Sequence, residues 1–352
     1  MDWRPGRRNL ITDVPGITIG QCHDARLRSG VTVIMPISPV RASADIRGGG
    51  PGTRETETMA DAGVVNELHA LVLSGGSAFG LDAATGVQSY LREKGVGFAV
   101  GPVRVPIVPQ AILFDLINGG DKDWGRHPPY RDMAYEASSG ASEDFTLGTA
   151  GAGFGATVAW ARTGQRMMGG LGSASLIRED GLVLGALAAV NAAGSVTIGD
   201  TPHFWAAPFE RDAEFGGLGF PARLDEAATY PILKAGPAQN TSLGVVATNA
   251  ALTRAELKRL AIMAQTGLAR AIMPVHTPVD GDIVFTLSTD ERPLQDRVFD
   301  LAELGGLAAN TLARAVARGV YEAGGVPGAA DVPSYRDVFP QAFSASPPAP
   351  HS

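Results

Sequence analysis

Apolar and polar positions alternate along this chain in two recurring ways. In roughly the first 115 residues, short apolar and β-branched runs at 17–19 (ITI), 30–35 (GVTVIM) and 71–74 (LVLS) are bounded by glycine turns, which predicts strands. LVLS passes through SGGSAFG into 81–94, where Leu81, Ala84, Val87 and Leu91 recur at helical spacing, a strand, glycine turn and helix in succession. A second glycine-dense apolar block covers 148–199 and includes GLVLGALAAV at 181–190. Charge and proline then rise across 200–240, the composition of a surface connector, and a long one.

The pattern changes at Thr241. TSLGVVAT (241–248) reads as a buried strand. Thr253 and Glu256 form a capping box, and Leu257, Leu260, Ala261, Ala264 and Leu268 then share one helical face. IVFTLS (283–288) is another strand, and 298–322 a helix with Leu301, Leu304, Ala308 and Leu312 on one side. Buried strands alternating with amphipathic helices predict a layered α/β protein, here one domain over 1–325. Residues 326–352, rich in Pro, Ala and Ser, read as a tail that is mobile at its end.

Composition narrows the function. The chain has 352 residues, a formal charge of −7 and no basic block, which argues against nucleic-acid binding. It holds 45 glycines, roughly twice the usual share of ~7%. Cys22 stands alone, and the six histidines have no metal-binding spacing, so neither a disulfide nor a metal or other cofactor is expected. The N-terminus lacks a signal-peptide pattern and no run of ~20 apolar residues suggests a membrane span, so the expected location is cytoplasmic. The glycine clusters match neither the GxGxxG dinucleotide spacing nor the GxxxxGK[ST] phosphate loop.

Two segments carry candidate chemistry. A polar connector ends at Asn240 and a buried strand begins at Thr241. Were that bond cut, Thr241 would hold a free amine, with a pKa of ~7.7–8.0, beside its own hydroxyl, so one residue would supply both nucleophile and base. The alternative is that threonine merely opens a strand, which it favours. Asp280 and Asp282, in HTPVDGD (276–282), are two apart and point to one side if the backbone is extended. Buried together, each would oppose ionisation of the other. The alternative is a solvated turn at the Asp-Gly corner.

At these residues the sequence resembles the self-cleaving aminopeptidases and amidases. That family includes L-aminopeptidase D-amidase/D-esterase, the β-peptidyl aminopeptidases and the endo-type 6-aminohexanoate-oligomer (nylon oligomer) hydrolases. The likeness is carried by ITDVPGITIG (11–20), DIRGGGPGTRET (45–56), LVLSGGSAFGLDAATGV (71–87), GTAGAGFGATV (148–158) and GALAAVNAAGSV (185–196). It continues through 240–272 and HTPVDGDIVFTLST (276–289). The resemblance implies an αββα sandwich like that of the N-terminal-nucleophile hydrolases. It also implies autocatalytic cleavage at Asn240–Thr241 into a large chain 1–240 and a small chain 241–352. It maps Thr241 onto the nucleophile, Asn191 onto an oxyanion donor, and Asp280 and Asp282 onto acidic positions that help processing and hold the centre. Gly75, Gly76 and Ser77 are further oxyanion or pocket candidates, with Phe79 as a pocket wall.

The Asn–Thr junction looks like that of the nylon-oligomer hydrolases, whereas the aminopeptidase branch more often carries Gly–Ser. Those hydrolases carry a lysine near the nucleophile where this chain has Trp160, so another cation or a more apolar pocket is expected there. The implied partners are a peptide or peptide-like amide substrate and further copies of the processed pair, up to a tetramer. An acyltransferase of the ornithine acetyltransferase type and a non-catalytic metabolite-binding module are the competing readings.

Overall fold

The computed structural model describes residues 2–60, 62–161, 163–235, 239–326 and 332–343. In chain order the main strands are β1 (Ile17–Asp24), β2 (Ser29–Pro36), β3 (Arg41–Ile46), β4 (Leu71–Ser74), β5 (Gln110–Ile112), β6 (Gly170–Arg178), β7 (Val183–Asn191), β8 (Thr241–Ala250) and β9 (Ile283–Arg292). The main helices are α1 (Ala83–Glu93), α2 (Tyr130–Ser139), α3 (Arg254–Ala271) and α4 (Arg297–Tyr321).

Among the described residues these strands form two principal sheets. One runs β1–β2–β4–β5 with the short strand Thr53–Arg54 at its edge. The other runs β6–β7–β8–β9–β3, with Trp3–Arg4 outside β6. Most neighbours are antiparallel, but β8 with β9 and β4 with β5 pair in parallel, because α3 and α1 carry the chain back between them.

The sheets pack face to face through Ile19, Ile34 and Leu73 on one side and Leu187, Leu243 and Phe285 on the other. The outer face of the first sheet meets α1 and α2 through Val31, Val72, Val87 and Ala134. The outer face of the second meets α3 and α4 through Val246, Leu260, Leu268 and Leu312. Four layers result, an αββα sandwich as expected. β8 is buried at every position, which accounts for its unbroken small and apolar sequence. The box at the start of α3 is formed: the Glu256 N–H donates to Thr253 Oγ1, and the Thr253 N–H donates to Glu256 Oε2 at 2.8 Å.

Two expectations need correction. The 200–240 connector does more than cover the surface, since Phe204 and Phe215 are buried in the core against α4. Nor does the folded core stop at 325. A short helix, α5 (Tyr335–Val338), and the turn that follows it bury Tyr335, Phe339 and Ala342 in the same cluster. Tyr335 stacks on Phe204 at 4.7 Å, and its hydroxyl donates to the Pro202 carbonyl at 2.6 Å. Aromatics four apart make one apolar face even in a Pro- and Ala-rich stretch. The end of the expected tail, 344–352, lies outside the described residues. Among the described residues no helix is long and apolar enough to cross a membrane.

Candidate active site

The antiparallel register of β7 and β8 sets Asn191, the last residue of one, directly opposite Thr241, the first of the other. The loop before β9 comes in beside this pair. The Asn240 N–H donates to the Val279 carbonyl at 2.9 Å, and the Gly281 N–H donates to the Asn240 carbonyl at 2.8 Å. The Thr241 hydroxyl also lies on the Asn240 carbonyl oxygen. Asn191, Asn240, Thr241, Asp280 and Asp282 are each at most 3% exposed.

The two aspartates serve as backbone clamps. Asp280 accepts from the Ala193 N–H at 3.0 Å, just beyond β7, and from the Thr277 N–H and hydroxyl at 3.0 and 2.5 Å. Asp282 accepts from the N–H of Ser242, the residue after Thr241, at 2.7 Å. Its other oxygen accepts from the His276 N–H at 3.0 Å and meets His276 Nδ1 at 2.9 Å. Burial pushes the Asp280 carboxyl above the usual carboxylate range, and the neighbouring Asp282 charge pushes the same way, against the Thr277 and Ala193 hydrogen bonds.

Asn191 is held at both ends of its amide. Oδ1 accepts from the Thr157 N–H at 3.0 Å, and Nδ2 donates to the Phe114 carbonyl at 3.0 Å. A lysine completes the group. Lys234 Nζ donates to the Thr157 carbonyl at 2.8 Å and to Thr157 Oγ1 at 3.1 Å, and it lies 3.4 Å from Asn191 Oδ1. Burial pulls its pKa down to about 7; the Arg166 charge acts in the same direction and Asp280 opposes it. Nothing in the local sequence marks this residue, which sits in the connector. What brings it in is a backbone bond from the Lys234 N–H to the Ala193 carbonyl at 3.0 Å, which has no sequence signature.

The sequence pattern of peptidase family S58 matches residues 9–333. The chain belongs to that family. An uncharacterized aminopeptidase of Mycobacterium tuberculosis is 41% identical, covering 95% of this chain and 99% of the relative. A 6-aminohexanoate-oligomer endohydrolase of Paenarthrobacter ureafaciens is 30% identical over 81% of this chain and 76% of the relative. Among solved structures, the L-aminopeptidase D-Ala-esterase/amidase of Ochrobactrum anthropi, described as a variant of the Ntn-hydrolase fold, aligns with a TM-score of 0.68 at 20% identity. That alignment covers 98% of this chain and 97% of that one. A Burkholderia sp. β-aminopeptidase aligns at 0.66 with 21% identity, covering 97% and 96%. These two share the fold. The S58 chain is therefore an amide-bond hydrolase, and neither an acyltransferase nor a passive binding module is favoured.

In this S58 peptidase a small cleft adjoins Asn240, bordered by Phe114, Asp115, Asn118, Thr157, Arg166 and Lys234. Several sequence candidates stand away from it. Trp160 lines a different hollow with Gln165 and Pro333, its ring edge-on to Phe339 at 6.3 Å. Phe79 is half exposed and meets Trp124 edge-on at 5.5 Å. The three candidate amides of the SGGSAFG turn are already engaged: Gly75 donates to the Gly30 carbonyl at 2.9 Å, Gly76 to Asp115 Oδ1 at 2.7 Å and Ser77 to the Leu113 carbonyl at 3.0 Å. They have no proton left for an oxyanion. The turn instead fixes Asp115, which also accepts from the Ser29 hydroxyl at 2.6 Å and whose carboxyl burial raises above its usual range.

Proposed function

We propose that this S58 peptidase cleaves its own Asn240–Thr241 bond and then uses the liberated Thr241 as an N-terminal nucleophile on peptide or peptide-like amides. The observation that carries the reading is the contact of the Thr241 hydroxyl with the Asn240 carbonyl inside a fully buried cluster. Thr241 Oγ1 attacks the Asn240 carbonyl carbon, the C–N bond breaks, and the proton passes to the departing Thr241 nitrogen. Water then hydrolyses the resulting ester, releasing the Asn240 carboxylate and restoring the Thr241 hydroxyl.

In the mature enzyme the Thr241 amine, with an ordinary pKa of ~7.7–8.0, accepts the hydroxyl proton as an acyl-enzyme forms, then returns it to the leaving amine. Asn191 has two amide protons. One goes to Phe114, and the other is assigned to the substrate oxyanion, an interaction worth about 3–4 kcal/mol in comparable sites. Asp280 and Asp282 hold the strand ends that carry Asn191 and Thr241. Lys234 and Thr157 fix which face of the Asn191 amide presents its N–H groups. The two sheets draw their shared core from both sides of the cut, so the fragments would stay interlocked.

Relatives named for aminopeptidase and 6-aminohexanoate-oligomer hydrolysis support N-terminal aminoacyl amides, β-peptides and 6-aminohexanoate oligomers as the substrates to try. The chain's charged fraction of only 18% supports assembly of the processed pairs into homo-oligomers. The test is Thr241→Ala. It should leave a single chain that hydrolyses none of these substrates. A variant that still splits, or still turns substrate over, contradicts the assignment.

A further inference from the structure

We infer that the backbone N–H of Gly281 is the oxyanion donor for self-cleavage, and that the RGGG turn at 47–50 exists to hold that donor in place. The inference rests on the proposed cut at Asn240–Thr241.

Attack by Thr241 on the Asn240 carbonyl places negative charge on its oxygen. That oxygen already accepts from the Gly281 N–H at 2.8 Å. A hydrogen bond to a neutral carbonyl strengthens as the oxygen becomes anionic, so this donor stabilises the transition state more than the ground state. Asn191 is not in this contact; its Nδ2 donates to Phe114.

Position 281 also has no room for a side chain. A Cβ there would lie 2.6 Å from Thr241 Oγ1 and 2.8 Å from the Gly50 carbonyl oxygen. The glycine thus lets the donor approach the scissile carbonyl without displacing the nucleophile.

The RGGG turn supports this loop from the other side. The Gly50 N–H donates to the Asp280 carbonyl at 2.8 Å, and the Arg47 and Gly48 N–H groups donate to the Asp282 carbonyl at 3.0 and 3.2 Å. A Cβ at Gly48 would fall 2.3 Å from the Asp282 nitrogen, and one at Gly49 2.8 Å from Pro278. Two backbones therefore pack directly, and both carbonyls flanking Gly281 are tied down. A donor fixed before reaction needs no reorganisation as charge develops. The Asp-Gly-Asp sequence thus alternates two clamps with one donor.

The test replaces Gly281 with glycolic acid by in vitro translation, which exchanges the N–H for an ester oxygen and adds no bulk. Conversion of the full chain into its two fragments is timed by electrophoresis. Loss of one such donor should slow conversion roughly 100- to 1000-fold. The matching hydroxy-acid replacement at Asp280 removes an N–H that donates to the Thr277 carbonyl, and should slow it less than about tenfold.

Parent-like cleavage of the Gly281 ester, with Thr241→Ala uncut, overturns the donor and leaves the cut standing. Equal slowing by both esters shows loop integrity alone and also overturns it. Cleavage of Thr241→Ala overturns the underlying reading instead. If the Gly281 ester does not fold, amide exchange in uncut Thr241→Ala decides. A protected Gly281 N–H supports the donor, and exchange at the rate of a free amide refutes it.

Discussion

Asn191 and Thr241 are direct cross-strand partners, one closing β7 and the other opening β8. That pairing makes the distance between them a property of the sheet and not of a mobile loop. A site built this way is as rigid as its backbone ladder. Asn191 should therefore act in turnover through one well-placed amide proton. Asn191→Ala is expected to lower kcat by about 100- to 1000-fold with little change in KM, measured by steady-state kinetics on the best substrate found. A rise in KM at unchanged kcat would show that Asn191 only binds substrate.

Lys234 gives the folded chain a particular pH response. Its folded pKa is drawn down to about 7, below the ordinary ~10.4 of an unfolded lysine. Between those values the unfolded chain binds the extra proton, so this group makes stability rise with pH across that window and fall as pH drops toward 7. In the uncut Thr241→Ala background, Lys234→Met should flatten the rise in urea midpoint between pH 7 and 9.5. An unchanged slope would mean that the lysine is solvated.

The glycine turn at 74–80 serves packing and the support of Asp115. Gly76 has φ of +86°, and a Cβ there would come within 2.2 Å of the Tyr130 ring. Gly76→Ala should destabilise the protein by roughly 2–3 kcal/mol, from overpacking together with a backbone conformation that alanine resists. Thermal melting of the uncut background measures the loss, and a variant that does fold should still self-process. Normal stability with lost processing would return the turn to the chemistry.

How much could be read in advance follows from where each signal lives. β8 and α3 were legible because a continuous apolar run and a capping box are local properties. The Asn240–Thr241 junction showed as a change in composition. Lys234 was not legible, since its environment depends on a backbone bond to Ala193. The engagement of the Gly76 and Ser77 amides was hidden for the same reason: Asp115 and Leu113 reach them from the segment just past β5. Proline and alanine masked the docking of 332–343, though Tyr335, Phe339 and Phe343 at intervals of four were a readable signal.

That docking is itself testable. Tyr335 is fully buried and stacked on Phe204. Tyr335→Ala should cost about 3 kcal/mol or more, seen as a lower melting temperature. A neutral result would mean that the segment does not pack in solution.

The most direct test of the whole account is intact-mass analysis of active protein, followed by N-terminal sequencing of the smaller fragment. Two polypeptides are expected, 1–240 and 241–352, with threonine at the new N-terminus. Active enzyme with the Asn240–Thr241 bond unbroken, or cut at any other bond, would contradict it.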